Sequence, residues 1–155
     1  MKILLAVDGS TFSTAAVEQI ASRPWPDGTE VDVLSVPDLP VYPVGEAAAL
    51  PSSYYEEMET IAQQQARAAV DKAVERLRSG VSRLRITDNI VPGHPVQEIL
   101  DRADRWDADL IVVGSHGYRG LRRLLLGSVS QAVASHAKCS VEIVRSKHPA
   151  AAPHG

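Results

Sequence analysis

The chain has 155 residues, 45% hydrophobic and 23% charged, with a formal net charge of −3 and one cysteine, Cys139. That length suits one domain, and the charge excludes the basic footprint that duplex nucleic acid or an anionic membrane demands. One cysteine excludes an internal disulfide and any cysteine-based metal site and fits a reducing cytosol, while no apolar run is long enough to span a bilayer.

Ile3 to Val7 is a continuous apolar run, short enough for a strand buried on both faces. One lysine and a short apolar stretch lead straight into Asp8, which reads as a strand and not as a signal peptide. Asp8-Gly9-Ser10 breaks the run, and Ser10 or Ser13 caps a helix to about Ser22. Turn chemistry at Arg23-Pro24-Trp25-Pro26-Asp27-Gly28 ends that helix. Glu30 to Val36, carrying Val31, Val33, Leu34 and Val36, is the second strand. Pro37 to Ser53 holds Pro37, Pro40, Pro43 and Pro51 without a clear period, and reads as a long loop.

Tyr54 to Ser79 is the clearest helix. Met58, Ile61, Ala62, Ala66, Ala69, Val70, Ala73 and Leu77 form one stripe, read as a core face, and Gly80 suits the C-terminal cap. Leu84 to Val91 is the third strand, ended by Pro92-Gly93. Pro95 fits the first turn of a helix whose buried face is Val96, Ile99, Leu100 and Ala103. Ala108 to Val113 is the fourth strand, Ser128 to Ala137 a short helix, and Val141 to Val144 the fifth strand. The domain ends near Ser146, and Lys147 to Gly155 reads as a disordered tail. Five strands joined by helices imply an α/β fold, a parallel sheet with helices on both faces. Ligands bind such sheets beyond the carboxyl ends of the strands, where the winding reverses.

The informative segment is Gly114-Ser115-His116-Gly117, nine residues, then Gly127-Ser128. Glycine admits positive φ and lets a ligand approach main-chain amides. The first amides of a helix are unpaired and partly positive. Gly127, Ser128 and Val129 therefore offer amides to phosphate oxygens, with the Ser128 and Ser130 hydroxyls as further donors. Arg119, Arg122 and Arg123 are candidate charge partners for a terminal phosphate. The pattern is neither the P-loop nor the dinucleotide fingerprint. Asp8, at the carboxyl end of the first strand, suits a ribose hydroxyl, an adenine amino group or Mg²⁺ held with the phosphates, and equally suits a turn or helix cap.

These residues resemble the ATP-binding branch of the universal stress protein family, in the Gly-x2-Gly-x9-Gly-Ser spacing with Asp8 at the end of strand one. The resemblance runs from Lys2 to about Arg145. It implies a three-layer, open, five-stranded parallel sheet of order 3-2-1-4-5, Rossmann-like and of the adenine nucleotide α-hydrolase-like type. It implies that Ala6, Val7, Asp8 and Val36 surround adenine and ribose, that Val113 and Gly114 flank the ribose, and that Gly117, Gly127, Ser128 and Val129 hold the phosphates of ATP, ADP or AMP. It also implies a cytoplasmic homodimer joined at the last strand through Val141, Ile143 and Val144. Glu142 in that strand is then expected to reach solvent or a basic residue of the partner.

An enzyme reading needs a nucleophile, base or metal cluster. His94 and His116 are the histidines near the expected site, and both suit turn or surface roles. No catalytic residue is assigned. The expected output is a nucleotide-dependent switch with at most slow ATP hydrolysis. A nucleotide-free dimeric scaffold of the same fold is the alternative. A phosphorylation-switch receiver fits less well, because strand three ends in Val91-Pro92-Gly93 without an acceptor aspartate.

Overall fold

The structure is a computed structural model that describes residues 1–37, 51–116 and 126–146. The expectations for residues 38–50, for Gly117, Arg119, Arg122 and Arg123, and for the tail from Lys147 lie outside those residues. In chain order the elements are β1 (Lys2–Ala6), α1 (Thr11–Ala21), β2 (Glu30–Ser35), α2 (Ser52–Arg78), β3 (Arg85–Ile90), α3 (Pro95–Trp106), β4 (Leu110–Gly114), α4 (Ser128–His136) and β5 (Ser140–Val144). The strands form one parallel sheet of order β3-β2-β1-β4-β5. The winding reverses between β1 and β4.

Strand alternation builds a core on each face. Ile3, Leu5, Val31 and Val33 meet Val17 and Ile20 of α1 and Val70 and Leu77 of α2. Leu4, Leu34, Ile111 and Val113 meet Ile99 of α3 and Val133 of α4. Each fully buried side chain of this kind contributes about 1.5–3 kcal/mol. Trp25 packs against the first core and Trp106 against the second. Burial beside the second core pushes the Cys139 thiol pKa up, as befits a small packed residue rather than a reactive one.

Helix starts follow the local chemistry. The Ser10 hydroxyl accepts from the Ser13 amide at 3.1 Å and caps α1, and Pro95 opens α3. One expectation changes and two features are new. Helix α2 closes on Ser79, and Gly80 is not in a left-handed conformation. A Cβ at Gly80 would lie 2.6 Å from the Ala21 carbonyl oxygen, so this glycine lets the ends of α1 and α2 meet. Glu142 is partly exposed and forms a two-pronged pair with Arg23 of its own chain, at 2.8 and 3.0 Å.

The second new feature is a buried charge. Asp32, in the middle of β2, is 0% exposed. Its Oδ1 accepts from Thr87 at 3.1 Å and Asn89 at 2.7 Å, both on β3, and its Oδ2 accepts from Arg102 Nε of α3 at 2.6 Å. Buried carboxylates persist when paired and hydrogen-bonded in this way. The network pins α3 to the β2–β3 side of the sheet.

Candidate functional site

A cleft of about 960 Å³ opens beyond the carboxyl ends of β1, β2 and β4, at the reversal of winding. Ala6, Val7, Asp8, Val36, Val113, Gly114, Gly127, Ser128, Val129 and Ser130 all line it. These predicted residues come from four separate stretches, and the topology brings them together.

The turn after β1 is built on Asp8. Its Oδ1 accepts from the Ser10 amide at 3.0 Å, and Gly9 follows with φ of 79°. An Asx turn of this kind uses one carboxylate oxygen while the residue stays exposed at the cleft. The turn reading and the ligand-side reading of Asp8 are therefore compatible.

The entry to α4 is narrower in its chemistry than the glycine spacing suggests. The Gly127 amide is already donated to the Ser115 carbonyl, at 2.8 Å. The Ser130 hydroxyl is buried and donates within 3.0 Å of the Ser115 and Gly127 carbonyls. Neither group is open to a ligand in this arrangement. The first helical bond runs from Gln131 to Gly127. The amides of Ser128, Val129 and Ser130 form no hydrogen bond among the described residues, as a helix start dictates. They carry the partial positive charge of the helix end.

Gly114, which lines the cleft, also carries a packing role. A Cβ there would lie 2.6 Å from the Phe12 carbonyl carbon and 2.8 Å from the Ser13 nitrogen. Its bare Cα lets the first turn of α1 approach β4 closely. His116 packs its ring on Phe12 with centroids 4.9 Å apart, and Nδ1 lies 3.2 Å from the Ser115 hydroxyl.

Sequence reasoning missed one wall. Ala62, Gln65, Ala66, Ala69 and Lys72 of α2 line the cleft. Part of the stripe read as core thus faces open space. Pro95 and Ile99 of α3 close the opposite side. The spacing 62, 65, 69, 72 was the available signal, since two polar residues interrupt an otherwise apolar face. Among the described residues no cluster of three or more histidines, cysteines or carboxylates is placed to hold a metal ion. No helix among them is long and apolar enough to cross a membrane.

Residues 1–145 match the family model described as the universal stress protein family. The chain belongs to that family. Universal stress protein Sll1388 of Synechocystis is 34% identical over 152 residues, covering 93% of this chain and 97% of the relative. The solved structure of MJ0577, a universal stress protein of Methanocaldococcus jannaschii, superposes with a TM-score of 0.77 at 26% identity. That match covers 96% of this chain and 97% of the other. A universal stress protein solved in complex with cAMP matches with a TM-score of 0.53 at 27% identity, over 94% of this chain and 96% of that one. The five-stranded order expected from the resemblance is the family's fold, as the structural matches bear out.

Proposed function

We propose that the cleft binds an adenine nucleotide, ATP foremost, and that occupancy switches this universal stress protein between states seen by a partner. The observation that carries the reading is the set of amides at Ser128, Val129 and Ser130, unpaired among the described residues, which line the same cleft as Asp8. Phosphate oxygens suit those amides. Adenine and ribose suit the apolar rim of Ala6, Val7, Val36 and Val113, with Asp8 accepting from ribose. The family member bound to cAMP supports an adenine ligand. Asp8 is the one carboxylate lining the cleft among the described residues. Mg²⁺ commonly binds through one or two carboxylates plus phosphates, so Asp8 would hold it together with the nucleotide. Its chemistry there would be charge neutralisation, and no residue in the cleft is assigned to hydrolysis.

Ser128→Pro tests the reading. Gly127 has φ −62° and ψ 153°, which suits a residue before proline, and Ser128 is the first helical position, where proline is tolerated. The substitution removes one amide and one hydroxyl with the helix intact. Losing a charge-assisted hydrogen bond is expected to weaken ATP binding by about tenfold or more in calorimetry, while Ser128→Ala loses far less. Equal binding by Ser128→Pro and wild type would refute the phosphate assignment.

The sheet edges support a homodimer. In β5, Val144 accepts from Ser115 on the β4 side, so Val141 and Ile143 turn their main-chain groups to the open edge. Their side chains are half-buried. Sedimentation is expected to find a two-chain species, and Ile143→Pro, which deletes an outward amide, is expected to yield monomer. A wild-type monomer at high concentration would count against this edge.

A further inference from the structure

We infer that Lys72 is a phosphate-reading residue of this cleft and makes it favour nucleotides with two or three phosphates over the monophosphate. The inference rests on the nucleotide reading above. Among the described residues that line the cleft, Lys72 is the one lysine or arginine and Asp8 the one carboxylate. A polyphosphate brought beside Asp8 adds several negative charges, against which helix-end amides offer only fractional positive charge. Among the described lining residues Lys72 carries the full positive charge that complements those negative charges.

The local arrangement leaves this cation available. Lys72 forms no ion pair or hydrogen bond among the described residues, while its neighbours are committed. Asp71 pairs with Arg67 at 3.3 Å, and Arg76 pairs with Glu18 at 2.6 Å. Helix α2 follows β2, so its N-terminal end lies at the carboxyl end of the sheet. Helical side chains lean toward the N-terminus, which carries the Lys72 stem toward the cleft mouth, over Ala68 and Ala69. Those alanines leave room for it. Ala69 Cβ would lie 3.5 Å from a Cβ at Gly9, so this turn of α2 abuts the Asp8-Gly9 turn.

The experiment titrates ATP, ADP, AMP and adenosine into wild type, Lys72→Met and Lys72→Arg at one low salt concentration. Lys72→Met is expected to weaken ATP and ADP by about fivefold to tenfold and adenosine by less than about twofold, because only the charged ligands lose a partner. Lys72→Arg restores most of the ATP affinity. An unchanged melting temperature of free Lys72→Met separates a lost contact from a lost fold. Wild type that binds ATP alongside Lys72→Met that binds it equally well, or that loses adenosine by the same factor, overturns the inference and leaves the nucleotide site standing. Wild type that binds none of the four ligands overturns the nucleotide site itself.

Discussion

Asp32→Ala is expected to cost about 3 kcal/mol of folding free energy, the lower end for breaking a buried ion pair. Three donors lose their acceptor at once: Thr87 Oγ1, Asn89 Nδ2 and Arg102 Nε. Arg102 is about one-third exposed, so its guanidinium recovers some water, which sets the low end. For a chain of this size the loss corresponds to a fall of roughly 6–12 °C in melting temperature. Helix α3 depends on this anchor because only Ile99 and Ala103 of its twelve residues are buried. Asp32→Ala combined with Arg102→Ala is expected to lose less than the sum of the two singles, since the second change removes the stranded charge. Urea unfolding of the four proteins makes the comparison. Additive losses would mean that the 2.6 Å contact contributes no coupling.

Gly114→Ala is expected to destabilise the fold by about 3 kcal/mol, the upper range for overpacking a rigid site. The new Cβ would meet main-chain atoms of Phe12 and Ser13 at 2.6–2.8 Å, and main chain cannot swing aside as a long side chain does. Helix α1 would have to lift off β4. Gly127→Ala is the matched control. Its φ of −62° suits any residue, and its nearest contacts are 3.1 Å to His116 Cα and 3.2 Å to the Ser115 oxygen. A loss of about 1 kcal/mol or less is expected there. If Gly114 served ligand approach alone, alanine would leave the unfolding midpoint untouched and lower only nucleotide affinity.

Most of the sheet was legible because its signals are local. Continuous apolar runs mark β1 and β4, Ser10 and Pro95 mark helix starts, and the glycine spacing marks the crossover into α4. The strand order came through resemblance, since nothing in periodicity specifies which strands adjoin. Asp32 went unread because its partners lie 55, 57 and 70 residues away. Only the register, which sets Asp32 opposite Thr87, brings them together. Gly80 was misread, and the packing role of Gly114 went unread, for a related reason. A glycine needed for left-handed backbone and one needed for a close helix approach look identical in sequence. The α2 wall was hidden because alanines facing a cleft and alanines facing a core share one spacing.

The two rims of the sheet differ in a way that bears on solubility. Beside β5 the rim is half-buried Val141 and Ile143. Along β3 it is guarded by charge: Arg67 bridges to Asp88 at 2.8 Å, and Arg85 lies 3.8 Å from Glu30. Polymerisation by adding strand to strand would need a β5 of one molecule to join the β3 of the next, through that charged fringe. Pairing β5 with β5 consumes both apolar rims and leaves guarded ones outermost. Under the proposed β5–β5 pairing, growth would stop at two, and crowding would not by itself start a fibre.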